Sequence, residues 1–119
     1  MQYMLLIYHD EEQMEKMPPG QRGQVHQDYM EYTQAIVKSG QFRAGAALQP
    51  TATATTVRQR NGRSIPTDGP FAETKEQLGG YYLVECQNLD EAVSLAARIP
   101  SVRVGGAIEV RPVRDMSSE

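Results

Sequence analysis

The sequence of 119 residues contains a single cysteine, no tryptophan and only two phenylalanines. Because Cys86 has no second cysteine to pair with, a disulfide within the chain is excluded and nothing indicates an oxidising compartment. No apolar run approaches the roughly 18 residues that a membrane-spanning helix needs. The apolar run near the N-terminus has no basic start and no small-residue cleavage site, which favours a strand over a signal peptide. We therefore predict a cytoplasmic protein with no membrane partner.

Positive charge is also scarce, with 12 Lys and Arg residues against 15 Asp and Glu and a formal net charge of −3. This balance gives no electrostatic reason to expect a nucleic-acid partner. The sequence has no phosphate-binding glycine loop, because Gly79 and Gly80 open a predicted strand and not a helix. The two histidines, His9 and His26, have no spacing that defines a metal site. We therefore predict neither a metal ion nor a cofactor.

The chain does contain clear periodic patterns, and its length predicts one domain over residues 1–119. Gln2–Tyr8 is a predicted strand with apolar residues on both faces, which indicates that both faces of the sheet are covered. The acidic segment Asp10–Gly20 ends in two prolines and a glycine, so we predict a surface loop there. The first helix is indicated by an apolar stripe at spacing i, i+4, i+7 and i+11, formed by Val25, Tyr29, Tyr32 and Ile36.

Further strands and one more helix follow. Asn61-Gly62 predicts the turn of a hairpin between Thr53–Arg60 and Arg63–Pro66, because both residues tolerate positive φ. The remaining elements are predicted as strands at Phe42–Leu48, Gly80–Cys86 and Ala107–Val113 and a helix from about Leu89 to Ile99. The order β-α-β, hairpin, β-α-β predicts an α+β, ferredoxin-like (split β-α-β) fold, with an antiparallel sheet and both helices on one face. A second subunit would cover the other apolar face, so we predict a homodimer.

Several long stretches carry a resemblance to a known family. The runs DGPFAETKEQLGGYYLVE, LDEAVSLAARIP and GGAIEVRPV, together with GAALQP before them, resemble the YCII-related family and in particular its branch named for the DGPF motif. The likeness covers nearly the whole chain. It implies a ferredoxin-like subunit that forms a dimeric α/β barrel. It further implies a link to small-molecule enzymology in some relatives, and a sigma factor as a candidate partner, since DGPF-branch genes often accompany sigma-factor genes.

The resemblance also bears on catalytic residues, because YCII-like members carry a proposed His–Asp pair with the histidine on the first helix. In this chain His26 lies about one turn earlier than that histidine, and Tyr29 occupies the corresponding place. The family's aspartate late in the second helix is missing, since the chain reads Arg98-Ile99-Pro100 there. Asp68 of the DGPF stretch is the acid that we offer as a substitute.

The DGPF stretch itself can be interpreted in two ways. Asp68 can accept hydrogen bonds from the following amides and simply start a turn. Alternatively, Gly69 and Pro70 fix the direction of the Asp68 carboxylate beside Phe71, at the mouth of a cavity facing His26 or Tyr29. In a partly dry cleft such a carboxylate would become a usable general acid or base. The two roles are compatible, and we predict a binding loop.

Two function classes are compatible with these features. The first is a dimeric module that binds an unidentified small molecule near the DGPF loop, with a link to sigma-factor regulation. The second is a small enzyme that uses Asp68 and His26 for acid–base chemistry on a compact metabolite, with aromatic compounds among the candidates. Arg111 is included among the binding candidates, although an ion pair with Glu73, Glu85 or Glu109 is the simpler role for it.

Overall fold

The computed structural model describes residues 1–116, and the first half of the chain alternates strands with helices. The elements in chain order are β1 (Gln2–His9), α1 (Glu11–Lys16), α2 (Pro19–Lys38), β2 (Phe42–Ala47), β3 (Thr55–Arg60), β4 (Arg63–Asp68), β5 (Gln77–Glu85), α3 (Leu89–Ala97) and β6 (Ala107–Pro112). Short 3₁₀ turns lie at Thr51–Thr53 and Pro100–Val104. None of the helices within residues 1–116 is both long and apolar enough to cross a membrane.

The main sheet has four strands in the order β2-β5-β1-β6, and all of its neighbouring pairs are antiparallel. β1 lies in the interior of the sheet, between β5 and β6. The units β1-α2-β2 and β5-α3-β6 interlock, so the predicted ferredoxin-like α+β fold is confirmed. Strands β3 and β4 pair only with each other and form a separate hairpin among the described residues.

The core lies between one face of this sheet and helices α2 and α3. Its fully buried side chains include Leu5 and Val84 from the sheet, Ile36 from α2 and Leu95 from α3. The Tyr32 hydroxyl donates a hydrogen bond of 2.8 Å to the Leu95 carbonyl oxygen, which ties α2 directly to α3. The predicted stripe of α2 is therefore buried at Val25, Tyr32 and Ile36, whereas α3 buries Ala92, Leu95 and Ala96 and leaves Leu89 and Val93 exposed.

The opposite face of the sheet carries apolar side chains that no helix covers. Residues of β1 alternate strictly in burial, since Leu5 is fully buried while its neighbours Met4 and Leu6 are only partly buried. Cross-strand pairing places Leu83 beside Met4 and Tyr81 beside Leu6 on the same face. We call this surface, formed by Met4, Leu6, Tyr81 and Leu83, the outer sheet face.

The predicted surface loop at Asp10–Gly20 is wrong, because this segment contains α1 and the start of α2. The Asp10 carboxylate accepts hydrogen bonds from the amides of Glu12 (3.0 Å) and Gln13 (3.3 Å), which caps α1. Pro19 occupies the first turn of α2, where a missing amide hydrogen costs nothing. The prolines that suggested a loop thus separate two helices.

The hairpin prediction is confirmed in its turn and its pairing. Asn61 and Gly62 have φ values of 51° and 77°, which the two-residue turn between right-twisted strands requires. The pairing runs from Arg60↔Arg63 to Thr55↔Asp68. Since the hairpin is detached from the main sheet, its side chains are nearly all exposed.

Candidate functional site

A cleft of about 680 Å³ opens between α2 and the end of the sheet where β1 finishes and β5 begins. Its α2 wall includes Arg22, Val25, His26, Tyr29, Met30 and Thr33. Its sheet wall includes His9, Phe42, Gly79, Gly80, Tyr81 and Tyr82, together with small residues of β2. The size is that of a small-molecule site, and the wall is mainly apolar with a few polar groups, as is typical of such sites.

His9 occupies a place that the opposite strand makes for it. The register between β1 and β5 shifts after Ile7, which pairs with Gly80, while Tyr8 pairs with Leu78 and leaves Gly79 as a bulge. A Cβ at Gly79 would lie 2.1 Å from the His9 Cε1 atom, so only glycine leaves room for the imidazole. Bulges commonly redirect side chains near functional sites. The buried Nδ1 atom of His9 has no hydrogen-bond partner within residues 1–116.

Two hydroxyl pairs join α2 to the rest of the cleft. The Tyr29 and Ser101 hydroxyls are hydrogen-bonded to each other, and Ser101 is buried. The Thr33 hydroxyl lies 2.6 Å from the Tyr82 hydroxyl and donates to the Tyr29 carbonyl oxygen at 2.9 Å. Because a hydroxyl has one proton, Tyr82 is then the donor to Thr33.

Burial sets the protonation of these phenols. Desolvation raises the pKa of Tyr29 above its usual value despite the opposing hydrogen bond from Ser101. Desolvation likewise raises the pKa of Tyr82, against the effect of its bond to Thr33. Both side chains are therefore neutral phenols at physiological pH, so they act as hydrogen-bond donors and do not serve as bases.

Arg22 and His26 supply polar groups from the first half of α2. The Arg22 Nη2 atom donates to the carbonyl oxygens of Glu15 (2.8 Å) and Met17 (3.1 Å), which fixes the guanidinium at the junction of α1 and α2. His26 is exposed and lies one turn before the Tyr29–Ser101 pair. A smaller cavity of about 270 Å³ lies beside α1, and His9 contributes to the walls of both cavities.

Of the predicted site residues, the structure brings His26 and Tyr29 together in the cleft. The DGPF stretch does not line either of the two cavities described above. Asp68 is exposed at the end of β4, and Phe71 is 78% exposed. The hairpin is separate from the main sheet and residues 68–71 line neither cavity, so the predicted loop position at the mouth of this cleft is not observed. The catalytic and binding roles of these residues stay predictions.

The local geometry of the DGPF stretch is that of a turn. Gly69 has a φ of 102°, and its amide donates to the Ala54 carbonyl oxygen at 2.8 Å. Its own carbonyl oxygen accepts a 2.8 Å hydrogen bond from the Thr56 hydroxyl. Gly69 therefore closes the open end of the hairpin, while Pro70 directly follows it.

Arg111 also lies outside the cleft. It pairs across the sheet with Met4, which places it on the outer sheet face, and it forms an ion pair with Glu109 two residues away. Both side chains are exposed, with 65% and 42% of their surface accessible. Glu109 was one of the three partners that the sequence suggested, so the simpler role of Arg111 agrees with the contact observed.

The sequence analysis did not include Arg22 or Ser101 among the site residues, and it considered His9 only as a metal ligand. A signal for His9 was present, since a histidine that ends one strand faces a double glycine that opens another. The contact between His9 and this double glycine can be inferred only once β1 is known to pair with β5. The described residues include no group of three or more His, Cys, Asp or Glu that could hold a metal ion.

Fold and cleft together define a ferredoxin-like α+β subunit with one small-molecule-sized site on its helical side. The chain belongs to the YCII-related family, because the model of the YCII-related domain matches residues 1–117. It is 39% identical over 114 residues to an uncharacterised protein of Rhizobium meliloti (strain 1021), with 95% of this chain and 92% of that protein covered. Membership of the DGPF branch stays a prediction.

A solved structure supports the fold independently of sequence. The 5-chloro-2-hydroxyhydroquinone dehydrochlorinase of Burkholderia phenoliruptrix AC1100, in complex with 2,5-dihydroxybenzoquinone, superposes with a TM-score of 0.58. The alignment covers 99% of this chain and 98% of that chain at 12% sequence identity. At this identity the likeness establishes a shared fold and nothing about shared chemistry.

Proposed function

We propose that the protein binds a compact small molecule in the cleft between α2 and the sheet. The observation that carries this proposal is the buried Nδ1 atom of His9, which has no partner within residues 1–116 and belongs to a residue of the cleft wall. A buried polar group without a partner is costly, and a bound ligand is one way to satisfy it.

The ring-rich wall favours a planar ligand. Phe42, Tyr29 and Tyr82 line the cleft from the helical side of the sheet, and aromatic side chains pack well against flat rings. The dehydrochlorinase of the same fold was solved with 2,5-dihydroxybenzoquinone, a compound of this shape. A substituted six-membered ring is therefore the first ligand class to test.

A thermal-shift screen of substituted quinones, phenols and benzoates tests the proposal. A ligand at 100 times its dissociation constant stabilises the folded state by about 2.7 kcal/mol. Met30→Trp adds bulk at a half-exposed cleft position and should abolish the shift, whereas Val37→Trp, at an equally exposed position of the same helix outside the cleft, should retain it. If both variants respond like the wild type, the ligand binds elsewhere.

The second candidate function is acid–base catalysis in the same cleft. It is favoured by the presence of His9 and His26 in the lining of one cleft, since histidine is the most frequent general acid or base near neutral pH. His26→Gln should leave a ligand bound and lower its turnover by about 10²-fold or more, whereas His9→Gln should weaken binding as well. Ligand binding without any turnover in the wild type would leave the binding module as the function.

We further propose that the outer sheet face pairs with the same face of a second copy. This face carries adjacent apolar side chains from β1 and β5, with the Glu109–Arg111 ion pair beside them on β6, and no element of the described chain covers it. A stable interface of this kind should bury on the order of 2,000 Å². The sigma-factor partner and the cytoplasmic location that were inferred from sequence stay predictions.

A further inference from the structure

We infer that the ligand of this cleft is an anion, namely a compact planar ring that carries a carboxylate or another acidic oxygen group ionised at neutral pH. The inference rests on the proposed binding function and specifies its ligand class. Its starting point is the charge of the wall. Although the chain has 15 Asp and Glu residues and a net charge of −3, no Asp or Glu from residues 1–116 lines the cleft. The ionisable side chains that do line it, apart from the tyrosines, are Arg22, His9 and His26.

Arg22 is the permanent positive charge of the site. Its guanidinium is anchored through Nη2 to two backbone carbonyl oxygens, which orient the group and leave its charge uncompensated. Within the described residues Arg22 forms no ion pair, whereas Arg103 is paired with Asp28 and Arg111 with Glu109. An oriented guanidinium has further N–H donors in a planar fork, which matches the geometry of a carboxylate.

The other polar groups of the wall are suited to an oxygen-rich anion. Burial keeps Tyr29 and Tyr82 protonated, so neither phenol adds a negative charge to the cleft. His9 can donate through a ring nitrogen in its neutral form and through both in its charged form. After a small movement of the ring, the unpartnered Nδ1 atom of His9 can therefore donate a hydrogen bond to an oxygen atom of the ligand. The tyrosines and His9 thus add no negative charge to the wall, so the charge of Arg22 favours a negatively charged ligand over a cationic one.

The shape of the wall restricts the rest of the ligand. Aromatic and small side chains of the sheet face α2 across the cleft, so the body of the ligand is expected to be flat and apolar. A ring with one acidic group satisfies both halves of the site, because the ring packs against Tyr82 and Phe42 while the anion meets Arg22.

Isothermal titration calorimetry with matched pairs of small ring compounds tests the inference. The pairs are 4-hydroxybenzoate with 4-hydroxybenzamide and 2,5-dihydroxybenzoate with 2,5-dihydroxybenzamide, which share a ring and differ in charge. Each carboxylate should bind about 10- to 100-fold more tightly than its amide, as expected for a hydrogen-bonded charge pair. Its affinity should also fall as salt is added, because the cleft is open to solvent.

Variants separate the charge of Arg22 from its structural contacts. Arg22→Gln should reduce carboxylate affinity by about 10-fold or more, and Arg22→Lys should restore part of it. Arg58→Gln removes the same charge from the exposed hairpin and should leave the affinity unchanged. The unfolding temperature without ligand shows whether the loss of the Glu15 and Met17 contacts has disturbed the fold.

Each outcome decides between the two proposals. If amides bind as tightly as carboxylates, or if Arg22→Gln and Arg58→Gln behave alike, the anion inference is wrong while ligand binding in the cleft still stands. If neither pair binds, the anionic-ring class is wrong, whatever other ligands the thermal-shift screen reveals. If that screen also yields no ligand for the cleft, the proposed function is wrong as well.

Discussion

His9 and Gly79 form the contact on which the candidate site depends at the level of single residues. The imidazole fills the space that a side chain at position 79 would occupy, and the bulge in β5 brings the two residues face to face. The histidine contributes a polar group to an otherwise apolar end of the sheet. Its position is therefore set by a residue that has no side chain.

Gly79→Ala should destabilise the protein by about 1–3 kcal/mol, because the new methyl group displaces the imidazole or the strand. His9→Ala removes the obstacle, so Gly79→Ala should cost much less in that background. Chemical denaturation of the four proteins in a double-mutant cycle measures the coupling. Gly23→Ala is the matched control, since an added methyl there meets no atom within 4 Å, and it should stabilise α2 by about 0.5–1 kcal/mol. Additive costs of the two changes would show that the contact is not formed in solution.

Asp68→Asn separates the turn role of the DGPF stretch from a catalytic one. We expect a change in the free energy of unfolding below about 0.5 kcal/mol and no change in ligand affinity, because the carboxylate is exposed and lies outside the cleft. Denaturation curves and calorimetry measure both quantities. Loss of binding or turnover in a folded Asp68→Asn protein would restore Asp68 to the functional site and would point to a second subunit that brings it there.

At the level of elements, α2 connects the core with the cleft. One face of the helix buries Val25, Tyr32 and Ile36, while Tyr29 and Thr33 lie at the border between core and cleft. The Tyr82 hydroxyl of β5 is hydrogen-bonded to Thr33 of α2, and the Tyr32 and Tyr82 ring centroids lie 5.4 Å apart. The helix therefore cannot shift against the sheet without breaking these bonds.

Stability should fall as the pH rises above about 10. Desolvation is the largest cause that raises the pKa of Tyr29, Tyr32 and Tyr82 above the ordinary value of 10.0, so the folded protein retains phenolic protons that the unfolded chain releases. The folded state then binds more protons than the unfolded state, and the stabilisation, complete below pH 10, is lost on further alkalinisation. Unfolding curves at a series of alkaline pH values measure the slope, and Tyr32→Phe should make it shallower. Equal slopes for the two proteins would exclude Tyr32 as a source of the effect.

At the level of the whole molecule, the two faces of the sheet differ in what covers them. Helices cover one face, and the outer sheet face is apolar but uncovered in a single chain. The detached hairpin extends the molecule further, and the chain measures 48 × 47 × 19 Å with a Cα radius of gyration of 16.3 Å. A compact chain of this length has a radius of gyration of about 13–14 Å, so the shape fits one half of a larger assembly.

Light scattering should give a mass of twice 13.3 kDa for the wild-type protein. Leu83→Lys places a charge in the middle of the outer sheet face and should yield a folded monomer, since an unpaired charge in an apolar interface is costly. Val57→Lys changes an exposed hairpin residue and should remain dimeric. A wild-type mass near 13.3 kDa at micromolar concentration would contradict the proposed dimer, and a dimeric Leu83→Lys protein would move the interface to another surface.

Much of the fold could be predicted because it depends on local patterns. The Asn61-Gly62 turn, the left-handed Gly40 after α2 and the Asn88 cap of α3 are each determined by neighbouring residues, and each is observed. The helices in the acidic segment after β1 were not predicted, because the prolines of this segment are equally compatible with a loop and with the start of a helix. The Asp10 cap of α1 is the feature that distinguishes a helix from a loop there.

The candidate site was predictable only in part, because its residues come from elements far apart in the chain. Periodicity alone put Tyr29 on the buried side of α2, and the same helix carries His26 into the cleft. Asp68 was expected to lie near Tyr29 and His26 because it precedes a core strand. Eight residues separate β4 from β5, however, and that segment lets the hairpin turn away from the sheet.

The amino-acid order by itself thus determined helices α2 and α3, the strands, the hairpin turn and the ferredoxin-like order of elements, because hydrophobic period and capping act over a few residues. Only the tertiary structure decided that His9 lies against Gly79, that Arg22 faces the same cleft as Tyr29 and Ser101, and that the DGPF stretch lies outside it. Strand register and helix packing bring together or separate residues whose spacing in the chain carries no information about their distance in space.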